Sequence, residues 1–335
     1  MASLGEPTSA SFGQGAIKVV VLASAEPASL SGGAANAAEL AAGMAGGDLI
    51  NVPITLEVRS PEDGVDFTRI GRDLAGIGAR LVLTSASFAD SAALAGALSA
   101  RGGVVISTGA TSADASRRVY SAAPDYASEA QFIVENAIER GHRRLAVVAT
   151  QEADSRIFAS LLAIAAVRSG ATIETLDGAT AGVAAERVRT LAAAGQAPQA
   201  IIFATAPSVA TSMMPGLRSA SGAVVPEAIG NVGWSFSPPN RSQLGQGWFP
   251  TYSGARFEAF ARLHREATGQ SPSVQGAILY DLIVLAAAVP QVVRDDDPYR
   301  QDVLSNPQGF SGQTGTFKFD GTGRVQRSME IRDLR

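Results

Sequence analysis

Few side chains in this chain are equipped for covalent chemistry. There is no cysteine, so thiolate nucleophiles and thiolate zinc sites are excluded. Only two histidines occur. His142 stands in Gly141-His142-Arg143-Arg144, ahead of an apolar run, and reads as a solvated lead-in. His264 lies in a charged helical stretch without the His-Glu-x-x-His spacing. Two histidines leave little material for a Ser-His-Asp triad or a histidine metal site. Lys18 and Lys318 are the only lysines, and neither belongs to a phosphate-cradling Gly-Lys-Ser/Thr loop. The Gly-x-Ser-x-Gly elbow is absent. A dinucleotide-binding turn needs glycines directly after the first strand, whereas residues 23–30 contain none and Gly13 and Gly15 precede it. The acidic run Asp295-Asp296-Asp297 lacks calcium-loop ligand spacing and reads as a solvated turn. A pair of carboxylates for glycoside chemistry is not pointed to by any spacing. The expectation is a protein that is not an enzyme and takes neither cofactor nor metal.

What remains is hydrogen-bonding chemistry in the loops that follow apolar runs. Ser24, Thr84, Ser85, Ser87, Ser107, Thr108, Gly109 and Thr111 follow runs in the first half, and Thr150, Asp154, Thr205, Asn231 and Trp234 in the second. Hydroxyls beside free amides at a helix N-terminus suit a carboxylate or another small polar group. The same hydroxyls also suit plain N-capping. Trp234, Phe236, Trp248, Phe249 and Tyr252 form an aromatic segment, returning between the two halves, that either walls a ligand pocket or packs plainly between the lobes.

These loops must be held by a repeated scaffold. Branched apolar runs at 17–22, 54–58, 81–84 and 104–107, then at 145–149, 172–176, 201–203 and 228–232, alternate with amphipathic stretches. Strands this apolar need cover on both faces, which implies helices on either side of a parallel sheet. Helices are expected near 32–45, 63–77, 91–101, 128–140, 154–169 and 184–194. Two consecutive long helices near 255–268 and 273–292 break the rhythm and are expected to return to the first half. Residues 315–319 and 325–331, around the turn 320–323, read as a hairpin. In open α/β sheets ligands bind beyond the carboxyl ends of the strands, where the hydroxyl-rich loops lie.

At 335 residues, 46% hydrophobic and 17% charged, the chain has material for two cored domains. A net charge of −4 without charged blocks gives no sign of nucleic-acid or anionic-membrane binding. The longest apolar stretch, 282–293, is short and carries Pro290, so no membrane span is expected. Residues 1–15 are small, polar and flexible in character, without the charged and apolar regions of a signal peptide. The expectation is either a cytosolic chain or one whose export signal and lipid anchor are absent from the sequence as given.

Four stretches carry a resemblance to a family. They are residues 22–40 with Asn36-Ala37-Ala38-Glu39-Leu40, the loop Val105-Ile106-Ser107-Thr108-Gly109-Ala110-Thr111, the pair Tyr280-Asp281, and Gly309-Phe310-Ser311-Gly312-Gln313-Thr314-Gly315 followed by Phe317-Lys318-Phe319-Asp320. On these the chain resembles the type I periplasmic-binding-protein superfamily, nearest its leucine/isoleucine/valine-binding branch. Leu244-Gly245-Gln246-Gly247-Trp248-Phe249 looks like relatives that activate penicillin-binding proteins. The resemblance implies an α/β fold of two doubly wound parallel-sheet lobes joined by a three-crossover hinge. The lobes are expected as 16–123 with 249–312 and 124–248 with 313–335. It also implies a carboxylate held by Ser87, Gly109 and Thr111, with Ser107 and Ser24 nearby and Leu30 in place of a family aromatic.

The chain departs from the family pattern in three places. No carboxylate lies near Asn231-Val232, no tyrosine near Ala206-Pro207, and the first loop reads Ser24-Ala25-Glu26-Pro27. These departures point away from an ordinary α-amino acid held in the standard way, with Asp125 or Asp154 as substitute acids. The expected function is an extracytoplasmic, periplasmic solute-binding protein that closes on a small polar ligand for an ABC transporter. The alternative is an envelope regulator with a degenerate ligand cleft. Expected partners are a small-molecule ligand and an ABC permease or a cell-wall synthase, with no nucleic acid.

Overall fold

The structure is a computed structural model; it describes residues 11–12, 15–22, 54–59, 66–110, 112–123, 125–236, 239, 241–252, 254–269, 272 and 274–334. The chain divides into two compact units, Met1–Pro124 with Ala255–Ser328 and Asp125–Gly254 with Met329–Arg335. It therefore passes from one unit to the other three times.

The first unit is built on β1 (Ser11–Phe12), β2 (Ile17–Leu22), β3 (Ile54–Arg59), β4 (Ala79–Thr84), β5 (Val104–Ser107) and β6 (Val119–Ser121), in the order β1-β3-β2-β4-β5-β6. All neighbours are parallel except β1 on β3. Val19, Val20, Leu81, Val82, Val105 and Ile106 are fully buried, as strands covered on both faces require. Helices Phe67–Gly76 and Phe88–Leu98 cover one face through Ile70, Leu74, Leu94 and Leu98. Each is capped by the residue before it: Asp66 accepts from the Thr68 amide, and Ser87 from the Asp90 amide. Gly78 then takes positive φ (82°), reversing the chain into β4 at no side-chain penalty. Of the two consecutive late helices, Gly254–Thr268 and Val274–Val292, the second packs on β3 and β4 of this unit, as expected.

The second unit contains β7 (Arg144–Ala149), β8 (Thr172–Asp177), β9 (Ala200–Phe203), β10 (Glu227–Ile229) and β11 (Gly247–Thr251), all parallel where they pair. One face carries helices Tyr126–Glu139 and Ala153–Arg168 over Leu145, Val147, Ile202 and Trp248. The other carries Ala181–Ala193 and Pro207–Ala220 over Val148, Phe203, Trp234 and Phe249. The sheet thus has a separate core on each side.

Back in the first unit, β12 (Phe310–Gly312), β13 (Gly315–Phe319) and β14 (Val325–Arg327) form an antiparallel meander. Finally β15 (Glu330–Asp333) pairs antiparallel with β11 and completes the second sheet, in the order β15-β11-β10-β9-β7-β8.

Three expectations are corrected. Residues 313–328 belong with the first unit, not the second, because β13 and β14 pair with β12 and the buried Asp281 of helix Val274–Val292 holds the turn at Gln313 and Thr314. Residues 249–254 belong with the second unit, because β11 pairs with β10 and β15. The run 228–232 is not one strand: β10 ends at Ile229, and Val232–Phe236 is a short 3-10 turn. Gly230 permits it, since a Cβ there would lie 2.2 Å from the Trp234 ring. The helix expected near 32–45 lies outside the described residues.

Candidate functional site

The carboxyl ends of β4 and β5 meet in two interlocked loops. Ser107 is fully buried, and its hydroxyl donates to the Ala86 carbonyl (2.6 Å) while accepting the amides of Gly109 (3.1 Å) and Ala110 (3.0 Å). A hydroxyl offers one donor and two acceptor positions, so Ser107 is saturated. It shapes the loop and has nothing left for a ligand, which corrects its expected role. Thr108 is also internal, its amide donating to the Thr84 carbonyl at 2.8 Å. Gly109 is solvent-exposed yet pressed against the neighbouring loop: a Cβ there would stand 2.0 Å from the Ser85 carbonyl oxygen. Only glycine allows that approach.

What this packing presents outward is the N-terminus of helix Phe88–Leu98. Ser87 is its exposed N-cap, accepting from the Asp90 amide and donating to the Asp90 carboxylate at 2.7 Å. The first amides of any helix lack intrahelical partners and carry the positive end of its dipole. This edge can therefore receive a small anion. Ser24, Leu30 and Thr111, expected beside it, lie outside the described residues.

The carboxyl ends of β7, β9 and β10 in the second unit form another polar constellation. Ser155 ties two of them, donating to the Ala204 carbonyl (2.7 Å) and accepting the Thr150 amide (3.0 Å). Asn231 donates to the carbonyls of Phe203 (3.1 Å) and Thr205 (3.0 Å), so its side-chain amide is spent on the scaffold. Asp125 caps helix Tyr126–Glu139 through the Ser128 amide (3.2 Å) and Ser128 hydroxyl (2.5 Å). Asp154 is exposed in the first turn of helix Ala153–Arg168. The hydroxyls of Thr150 and Thr205 are buried without a hydrogen-bond partner.

A residue that the sequence reading passed over completes this group. Glu129, only 3% exposed, accepts the Val232 amide at 2.6 Å. A carboxylate therefore does reach the Asn231-Val232 segment, from the first turn of helix Tyr126–Glu139. Burial drives its carboxyl up, the Val232 amide opposes this and the charge of Asp125 adds to it, leaving it at about 7.

Within the aromatic segment, Trp234, Trp248 and Phe249 pack the cores of the second unit. Trp234 is fully buried, its Nε1 donating to the Thr205 carbonyl (3.0 Å) and its ring packed with Phe203 and Phe249. Trp248 is fully buried in the opposite core, with the Arg140 guanidinium 5.2 Å from its ring centre. Tyr252 is buried just beyond β11. Adjacent residues on a strand face opposite sides of a sheet, which sends Trp248 and Phe249 to different cores. Among the described residues no helix is long and apolar enough to cross a membrane.

No protein-family model and no curated protein matches this chain. Solved structures do, over nearly its whole length. An ABC transporter substrate-binding protein from Desulfitobacterium hafniense, in complex with Leu, superposes with TM-score 0.65 at 17% identity, covering 95% of this chain and 97% of that one. A branched-chain amino acid ABC transporter periplasmic ligand-binding protein from Burkholderia xenovorans LB400 gives 0.68 at 14%, covering 94% and 89%. A solute-binding protein of an ABC transporter from Rhodopseudomonas palustris BisB5, in complex with 3,4-dihydroxybenzoic acid, gives 0.63 at 16%, covering 94% and 92%. Taken with the two parallel-sheet units and three crossings of the chain, these matches establish that it has the type I periplasmic-binding-protein fold.

Proposed function

We propose that the chain is an extracytoplasmic solute-binding protein, without catalytic activity, that captures a small carboxylate-bearing ligand for an ABC permease. The observation that carries this reading is the loop pair of the first unit. Ser107 holds one loop, Gly109 lets it press onto Ser85, and the exposed result is a helix N-terminus at the carboxyl edge of a parallel sheet. That geometry suits an anion. The neighbours named above hold Leu and 3,4-dihydroxybenzoic acid, and a further solute-binding protein from R. palustris holds benzoate. A carboxylate on a largely apolar body is common to all three. The first amides of helix Phe88–Leu98 and the backbone at Gly109 are the groups assigned to the carboxylate, with Ser87 holding that terminus as its N-cap and Ser24, Leu30 and Thr111 as further contacts. A permease partner places the protein on the outer side of the cytoplasmic membrane.

The test is a thermal-shift screen of unfolded and refolded protein, which removes co-purified ligand, against aliphatic and aromatic carboxylic acids and amino acids. Ligand at a hundred times its Kd adds about 2.7 kcal/mol to the folded state. A rise in Tm with at least one acid and none with its neutral amide supports the reading. A flat response across the panel contradicts it.

A further inference from the structure

Helix Ala153–Arg168 is apolar on two sides. Phe158, Leu162, Ala165 and Ala166 are buried in the core beneath it. Ile157 and Ile164 nevertheless stand 52% and 54% exposed on the far side, with Leu161 half-buried between them. Single exposed apolar side chains, such as Val183 or Val225, are ordinary on a protein surface. Three in register are not. Residues 157, 161 and 164 recur at helical spacing and form one stripe along the helix. Helix Ala181–Ala193 of the same unit shows the usual arrangement, its exposed Arg187 and Arg189 pairing with Glu174 and Glu186.

The stripe ends in opposite charges. Asp154 lies about one turn before Ile157, and Arg168 about one turn after Ile164. Both are exposed, and among the described residues neither makes an ion pair. Leu161 is the midpoint, with an isoleucine about one turn to either side and a charge about two turns to either side. Within one copy the acid and the base complement the helix dipole. Across a two-fold axis through Leu161 they also complement each other.

We propose that this stripe is a homodimer contact, in which helix Ala153–Arg168 packs antiparallel on the same helix of a second copy about an axis near Leu161. Ile157 then meets the partner's Ile164, Asp154 meets the partner's Arg168, and the same contacts repeat across the axis. Antiparallel helix dipoles add to the attraction. A parallel pairing would set Asp154 against the partner's Asp154 and Arg168 against the partner's Arg168, so the charges select the antiparallel one. The stripe ends in one charge of each sign, not in the basic face that an anionic lipid surface attracts. A contact built on one helix per copy is small, so the dimer is weak and forms with rising concentration. The inference goes beyond the solute-binding reading and does not rest on it, since it uses the second unit alone.

Sedimentation velocity of the full chain, run from micromolar to near-millimolar concentration, tests this, with urea melts checking that each variant is folded. Wild type is expected to pass from monomer to dimer. Ile164→Ser is expected to weaken self-association at least about tenfold, because each substitution counts twice across a two-fold axis. Charge reversal supplies a second reading that leaves the apolar stripe intact. Asp154→Arg and Arg168→Asp are each expected to weaken self-association at least about threefold. Mixed in equal amounts, the two variants are expected to associate with each other, because every pair across the axis then regains opposite signs. A wild-type monomer at every concentration overturns the proposal, including one whose stripe instead binds phosphatidylglycerol vesicles in a flotation assay. A dimer that Ile164→Ser leaves unchanged overturns it too. So do charge variants that self-associate as wild type does, or that fail to associate when mixed.

Discussion

The Glu129 carboxylate accepts the Val232 amide at 2.6 Å, joining residues 103 positions apart in sequence. That contact fixes the turn after β10 to the first turn of helix Tyr126–Glu139, and among the described residues no side chain hydrogen-bonds to or ion-pairs with that acid. A pH-dependent stability follows. Glu129 is raised from 4.5 to about 7, so between these values the native state binds a proton that the unfolded chain has lost. Its contribution is fully present below the unfolded value and is lost as pH rises through the folded one, a fall on the order of 3 kcal/mol. Urea melts of wild type at pH 4.5 and pH 8, compared with Glu129→Gln, check this. The variant is expected to be at least as stable as wild type at pH 8, with a flatter pH profile.

Gly109→Ala forces a Cβ to within 2.0 Å of the Ser85 carbonyl oxygen, and neither partner is a flexible side chain. The loops must separate. We expect a loss of about 1–3 kcal/mol in stability and at least about tenfold in affinity for a carboxylate ligand, read by chemical denaturation and calorimetry.

Ser107→Ala removes one donated and two accepted hydrogen bonds from a fully buried site. At about 1 kcal/mol each, the expected destabilisation is about 2–3 kcal/mol. A stability unchanged in denaturant melts would show that the loop is held by something else.

Asp281, 2% exposed, accepts the amides of Gln313 (2.6 Å) and Thr314 (2.8 Å) together with the Thr314 hydroxyl. Gly312 lies against it so closely that a Cβ would meet its carboxylate at 2.4 Å. Burial pushes the Asp281 carboxyl up although these hydrogen bonds oppose the shift. Asp281→Ala strands the buried Thr314 amide and the partly buried Gln313 amide and is expected to cost about 2–5 kcal/mol. Hydrogen exchange localises the effect: protection of β12 and β13 should fall first.

The scaffold was legible because parallel strands covered on both faces leave uninterrupted apolar runs, and β2, β5, β7 and β9 lie where those runs are. Helix Pro207–Ala220 was not, since Pro215 interrupts its pattern and Pro207 looks like a loop residue, although proline fits the first helical position without loss. The strand-end hydroxyls were legible as a group, but sequence cannot tell a saturated hydroxyl such as Ser107 from an open one. Trp234 and Trp248 were misread because closeness in sequence does not say which sheet face each ring enters. Glu129 left one usable signal. It begins the buried stripe Glu129, Ile133, Ala137, at helical spacing, and a carboxylate on an apolar face asks for a tertiary partner.

The most direct test of the account is calorimetric titration of refolded, ligand-free protein with the best carboxylic acid of the screen and with its primary amide. The account predicts one saturable site for the acid and at least about tenfold weaker binding of the amide, because only the acid carries the charge that the Phe88–Leu98 helix terminus attracts. No heat from any acid, or equal affinity for acid and amide, would contradict it.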